Sequence, residues 1–313
     1  MRTVFVSHND LGLACLEELD RLGADIRAVL TRPELARISD QTDFTDFTDG
    51  RDVPLHRVDS INSDEWVERL TAYEPELLFV VGWSRLVEQR ILDIPSVAAF
   101  GMHPAPLPRG RGRAPIAWSL IKGLDETALT MFHLVEEADA GDVAGQVSIP
   151  IDRHDDAASL YEKVVNAGRT LMQEVYPRLA SGEVPRTPQD DDEATWWPRR
   201  RPEHGCIDWT RSPEEVYNWI RGQSRPYPGA FSVLDGHRVT VWGANPPADE
   251  QAFVRPGELV YRDGDALGVG AWEGVVELTR VEIDGTERPA GDLVTERSFE
   301  IGDRFAHVSQ ATR

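Results

Sequence analysis

The chain has little of what would brace it covalently or anchor it in lipid. Cys15 and Cys206 are the only two cysteines in 313 residues, which excludes a disulfide framework and the paired Cys/His spacing of a structural zinc site. No run approaches the roughly 20 consecutive apolar residues of a membrane-spanning helix. The opening Met1-Arg-Thr-Val-Phe-Val-Ser7 enters a strand pattern at once, without the apolar core and small-residue cleavage site of a secretory signal. A cytoplasmic location is therefore expected, with no membrane contact. Lysine is also scarce: Lys122 and Lys163 are two of 33 cationic residues, set against 54 acidic ones for a net charge of −21. A protein that grips nucleic acid needs cations facing the phosphates, so this balance disfavours a polyanionic partner, although a salt-adapted proteome gives the same acidity. The first turn carries no G-x-G-x-x-G, so a nicotinamide or flavin dinucleotide is not supported.

What is present alternates. Thr3–Ser7, Ile26–Thr31 and Leu77–Val81 are apolar runs of buried-strand length, separated by helical patterns over Leu11–Leu22 and Asp64–Tyr73. The fold class expected is α/β, a Rossmann-like doubly wound parallel sheet. A long amphipathic helix over Asp155–Leu179 closes this first domain, 1–182. Composition then changes. Residues 183–204, with Asp190-Asp-Asp-Glu193 and Arg199-Arg-Arg201, have the character of a solvated linker. After a helix over Ser212–Gly222, the remainder of a 205–313 domain is β-rich with glycine turns, the pattern of a smaller barrel.

The stretch with most chemical content is Gly101-Met-His-Pro-Ala-Pro-Leu-Pro-Arg-Gly-Arg-Gly-Arg-Ala-Pro115. Val97–Phe100 is an apolar run that delivers His103 to the carboxyl edge of a sheet, where ligands collect. Pro104, Pro106 and Pro108 each fix φ and remove a donor, so the following loop is rigid and neither helix nor central strand. Arg109, Arg111 and Arg113 alternate with Gly110 and Gly112, placing guanidinium forks and closely approaching backbone where an anionic substrate group can sit. Asp139 follows His103 by 36 positions, within Asp139-Ala-Gly141. The bland reading is a surface turn with a structural histidine.

In their order, His103, Leu107-Pro-Arg-Gly-Arg-Gly-Arg-Ala-Pro115 and Asp139-Ala-Gly141 resemble the motifs of the folate-dependent formyltransferases, a family that includes methionyl-tRNA formyltransferase and the N-formyltransferases of nucleotide-linked amino sugars. Val4–Gly12 resembles the first strand and turn of that family, and Trp196–Phe231 its linker and C-terminal domain, so the resemblance extends over nearly the whole chain. It implies an OB-like barrel for the C-terminal domain and N10-formyltetrahydrofolate as formyl donor, with no metal. A primary amine attacks the formyl carbon, His103 takes the proton, and Asp139 orients the imidazole and lies beside the donor. Trp83, Arg85 and Leu86, in the segment Val81–Val87, are implied contacts of the pterin; packing in the core is the other reading of Trp83. Arg109, Arg111, Gly112 and Arg113 are the substrate-binding candidates.

One departure stands out. Gly101 occupies the position where the family carries an asparagine that donates to the developing oxyanion. Either another donor replaces it, for which Asn9 in the first turn is the candidate, or the chain is a folate-binding module with little transferase activity. The alternative role of Asn9 is to cap the helix that starts beside it. Asp142 is expected to cap a loop, His133 to be structural, and the cluster Asp152–Asp156 to form a solvated turn rather than a metal site. Between Gly205 and Arg313 there are 18 acidic residues, 11 arginines and no lysine, which favours a small nucleotide-sugar substrate over tRNA. Relatives in the sugar branch suggest a homodimer.

Overall fold

The computed structural model describes residues 1–33, 41–83, 85–248, 251–295 and 299–306. Asp40, in the acidic excursion Asp40–Asp52, and the last seven residues of the C-terminal domain lie outside that set. The chain divides into two compact units, one of Met1–Pro115, Glu126–Pro150 and Tyr161–Pro198, the other of Ile116–Asp125, Ile151–Leu160 and Arg199–Arg313.

In chain order the first half runs β1 (Arg2–Val6), α1 (Asp10–Arg21), β2 (Asp25–Thr31), α2 (Thr45–Asp49), β3 (Leu55–Arg57), α3 (Asp64–Ala72), β4 (Leu77–Val80), α4 (Gln89–Leu92), β5 (Ala98–His103), β6 (Arg111–Gly112), α5 (Pro115–Ile121), β7 (Glu126–His133), β8 (Val143–Pro150) and α6 (Ala157–Ala180). Seven strands form one sheet in the order β3-β2-β1-β4-β5-β7-β8. The first five are parallel, whereas β7 and β8 are antiparallel to their neighbours. Winding runs outward from β1 to β3 and then restarts from β4 on the other side. Such a reversal leaves a crevice at the carboxyl ends of the strands, where ligands of open α/β sheets bind.

Register across the sheet is fixed by aromatic packing. Phe5, Phe79 and Phe100 are mutually in register on β1, β4 and β5, all nearly fully buried, with ring centroids 6.1 and 5.5 Å apart. The His133 ring continues the row, 4.6 Å from Phe100. A one-residue slip would turn the whole row to the opposite face, so these rings fix where β5 ends and place His103 at the sheet edge.

The second unit contains α7 (Pro213–Arg221) and strands β10 (Ala230–Leu234), β11 (His237–Ala244), β12 (Leu259–Asp263), β13 (Ala266–Ala271), β14 (Gly274–Ile283) and β15 (Thr286–Pro289), preceded in the chain by β9 (Trp196–Trp197) of the first unit. The helix starts with a complete capping box between Ser212 and Glu215 and stops at Gly222. The sheet is antiparallel, ordered β10-β11-β14-β13-β12 with β15 paired to β14. Phe305 bridges to Leu234 on one outer strand, and Arg304 bridges to Glu258 beside the other, drawing the sheet toward closure around an aliphatic core that includes Val239, Val241, Val269, Val276 and Leu278. Arg200 is held between the rings of Trp118 and Trp219, 4.9 and 4.7 Å from their centroids, and donates to Gln223. Among the described residues, no helix is long and apolar enough to cross a membrane, and no group of three or more His, Cys, Asp and Glu is arranged to hold a metal ion.

Candidate active site

A cavity of about 230 Å³ opens at the carboxyl edge of the seven-stranded sheet. Val80, Leu92, Phe132 and Leu134 give it apolar lining, and Trp83, Arg85, Leu86, His103, Gly112, Arg113 and Asp139 line it as well. Leu86 and Val135, both exposed, stand at its rim.

His103 is buried at the end of β5. Its Nε2–H donates to the carbonyl of Gly110 at 2.8 Å. A carbonyl only accepts, so Nε2 carries a proton, and Nδ1 is the nitrogen that faces Oδ1 of Asp139, 3.8 Å away. The other carboxylate oxygen of Asp139 accepts the Gly112 N–H at 2.9 Å. Asp139 has a left-handed backbone, φ 58°, which turns its side chain back toward the histidine. Two residues later, a Cβ on Gly141 would lie 1.8 Å from the carbonyl oxygen of His133, which is why glycine stands there.

The loop between His103 and Gly112 is held by partners far away in sequence. Thr130 donates to the Ala105 carbonyl at 2.6 Å and accepts from the Leu107 N–H and from Gln146. Gly110 N–H donates to Thr195 at 2.9 Å, and β6 pairs in parallel with β9. The stretch expected to be a solvated linker is thus mixed: residues 189–197 clasp this loop, and the chain through Pro198 belongs with the first unit.

Of the three alternating arginines, two are engaged within the chain and do not line the cavity. Arg109 pairs with Glu193. Arg111 is 2% exposed and donates to Gln189 and Asp191. Arg113 lines the cavity, is exposed, and its guanidinium forms no ion pair among the described residues. Arg85 has the same character.

Asn9, the candidate substitute donor, caps α1, its Oδ1 accepting from the Gly12 N–H at 3.1 Å, and its side-chain amide lies against Gly82, which lines the cavity. The side-chain space beyond Gly101 is taken by Leu134, whose Cδ2 would lie 2.7 Å from a Cβ at that position. We predict that Gly101→Asn alone destabilises the fold by about 1–3 kcal/mol by overpacking, and that adding Leu134→Ala recovers most of the loss; thermal melts of the two variants check this.

Asp142 pairs with Arg186 at 3.4 Å, and its carbonyl accepts the His133 N–H. His133 donates through Nε2 to the Pro185 carbonyl at 2.9 Å, and burial pushes its imidazole below the ordinary histidine range. Neither lines the cavity. Gln189, Thr195, Gln146 and Leu134 were not legible as site residues in the sequence, since none belongs to a motif or a periodic pattern.

Residues 7–176 match the model of the formyl transferase family, and residues 200–295 match the model of the formyl transferase C-terminal domain. The chain belongs to the formyl transferase family. Among solved structures, it resembles HypX from Aquifex aeolicus in complex with tetrahydrofolic acid, with a TM-score of 0.67 and 23% identity over 98% of this chain. It spans about half, 51%, of that protein's length. It also resembles the N-formyltransferase from Helicobacter canadensis in complex with folinic acid and dTDP-3-aminofucose, with a TM-score of 0.67 and 14% identity over 88% of this chain and 97% of that one. Methionyl-tRNA formyltransferase from Clostridium thermocellum follows the same fold at a TM-score of 0.56 and 18% identity, over 78% of this chain and 93% of the other. At these identities the likeness is one of fold.

Proposed function

We propose that this protein transfers a formyl group from N10-formyltetrahydrofolate to the primary amine of a nucleotide-linked amino sugar. The observation that carries the reading is the meeting, in one cavity, of His103, oriented by the Gly110 carbonyl and facing Asp139, and an Arg113 with no ion pair among the described residues. When bound, the folate supplies a formyl carbon activated for attack by an amine. Apolar lining from Val80, Leu92, Phe132 and Leu134 supports binding of a heteroaromatic ring, with Trp83, Leu86 and Val135 as further apolar contacts and Arg85 as a partner for an anionic tail.

The residues of the chain then have distinct tasks. Nδ1 of His103 accepts the proton that the amine must lose, and the carboxylate of Asp139 stabilises the resulting imidazolium. Gly112 N–H holds that carboxylate in place. Arg113 offers the acceptor's phosphate a charged, forked donor. Support for a nucleotide sugar over tRNA comes from charge: a net −21, with 18 acidic residues against 11 arginines and no lysine from Gly205 onward, leaves no cationic excess for a polynucleotide. The Helicobacter canadensis structure holds dTDP-3-aminofucose, which makes amino sugars on nucleoside diphosphates the first acceptors to try.

The test is a mass-spectrometric panel of nucleotide-linked amino sugars beside methionyl-tRNA, at low and high salt. Formylation of a sugar and none of tRNA is the expected result; formylation of tRNA alone overturns it. We further predict that Arg113→Gln raises KM for the acceptor about tenfold, the loss of one charge-assisted hydrogen bond, with kcat nearly unchanged. Arg109→Gln, whose partner is Glu193, leaves both constants near wild type.

A second reading rests on Gly101, which presents no side-chain donor to the cavity. It makes the chain a folate-binding module with little transfer. A large rate increase in Gly101→Asn/Leu134→Ala favours that module, whereas an unchanged rate favours the transferase.

A further inference from the structure

Outside the motifs, one side chain that contacts the Asp139 turn satisfies its full hydrogen-bonding capacity. Gln189 is half-buried among exposed neighbours. Its Oε1 accepts from Nε and Nη2 of Arg111, at 3.2 and 2.9 Å. Its Nε2 donates to the carbonyls of Asp139 and Gly141, at 2.8 and 2.7 Å. A primary amide has two N–H donors and two acceptor positions, so all four are used.

These bonds close a ring. Arg111 is adjacent in sequence to Gly112, whose N–H holds the Asp139 carboxylate, and Gln189 ties Arg111 back to the backbone of Asp139. The span between β6 and the Asp139-Ala-Gly141 turn is thereby fixed on the side-chain and main-chain sides together. The turn needs such a hold because Asp139 sits in the left-handed region, which a non-glycine residue keeps only when its surroundings impose it. Buried Arg111, further fixed by Asp191 at 2.7 Å, is a rigid post for this purpose.

We propose that Gln189 is a positioning residue that holds the carboxylate of Asp139 against His103, an inference that rests on the proton-transfer reading above. The informative variant is Gln189→Glu. It keeps oxygen acceptors for Arg111 and adds charge to that pair, but it loses both donors to the carbonyls of the turn. Gln189→Ala loses both halves. Asp191→Asn weakens the other anchor of Arg111 without touching the turn.

The expected result is that Gln189→Glu lowers kcat about 10- to 100-fold, the scale of a misplaced catalytic group, with KM for the folate donor unchanged. In an Asp139→Asn background the same substitution costs little more, because its effect passes through that carboxylate. Asp191→Asn stays within about twofold of wild type. Amide hydrogen exchange at Gly112, whose N–H bonds Asp139, is faster in Gln189→Glu than in wild type. Wild-type kcat in Gln189→Glu, or losses that add fully to those of Asp139→Asn, overturns the proposal. If the wild-type protein formylates no amine, the reaction reading fails, and Gly112 exchange alone decides the positioning role: faster exchange supports it and unchanged exchange overturns it.

Discussion

His103→Ala is expected to lower formyl transfer about 10³-fold, within the range that positioned proton transfer contributes, while binding of the folate donor persists. The imidazole is built into the site at both nitrogens. Nε2–H is fixed on the Gly110 carbonyl and Nδ1 faces Asp139, so the proton acceptor is a single atom with one direction. An alanine leaves the apolar lining and Trp83 intact, so the loss falls on kcat. His103→Gln retains polarity but has no comparable base, and is expected to be as inactive as alanine. Asp139→Asn keeps the shape and loses the charge that stabilises the imidazolium, which sets it between wild type and His103→Ala. Initial rates across the three variants, with donor affinity measured by titration, check the order. An alanine variant that keeps more than about a tenth of wild-type kcat contradicts a general-base role.

Gly141→Ala is expected to cost about 3 kcal/mol of stability, the upper end for overpacking, and to abolish the site as well. The added Cβ would lie 1.8 Å from the His133 carbonyl oxygen and 2.9 Å from its carbon, both main-chain atoms at the end of a central strand. No rotamer change relieves such a contact. His133 cannot retreat easily, since its N–H bonds the Asp142 carbonyl and its ring packs on Phe100. The turn must therefore move away, and it carries the Asp139 carboxylate with it. Gly50→Ala is the control: the nearest atom to its Cβ is the Asp46 carbonyl oxygen at 3.5 Å, an ordinary contact, and its melt should stay within about 1 kcal/mol of wild type. Denaturant melts of both variants test the contrast, and a Gly141→Ala midpoint equal to wild type contradicts it.

Much of the architecture was legible because it is written locally. The Ser212 to Gly222 signal gave a helix with a complete capping box, and the apolar runs at Thr3, Ile26 and Leu77 gave three parallel strands. The strand β8 was not anticipated, since its burial alternates without a strong apolar run, and the short β3 and β9 carry too few residues for a period to show. The arginines at 109, 111 and 113 are equivalent in a pattern of alternation, yet only the last reaches the cavity. Positive φ at Gly110, Gly112 and Ala114 breaks the strand pleat, so equal spacing in sequence does not give equal direction. The partners that take up the other two, Glu193 and Asp191, lie about 80 positions away, and read alone they are simply part of an acidic run. Asn9 was legible as a helix cap because it directly precedes the first helix, and its side chain does cap α1.

Formyl transfer to a sugar amine is decided by following the formyl carbon itself. The protein is incubated with N10-formyltetrahydrofolate carrying a ¹³C-formyl label and with the nucleotide-linked amino sugar that the acceptor panel identifies, and the label is traced by NMR. The expected result is a formamide carbon on the sugar nitrogen, formed in step with unlabelled tetrahydrofolate and absent with His103→Ala. Label that stays on the folate, or that appears only as free formate, contradicts it.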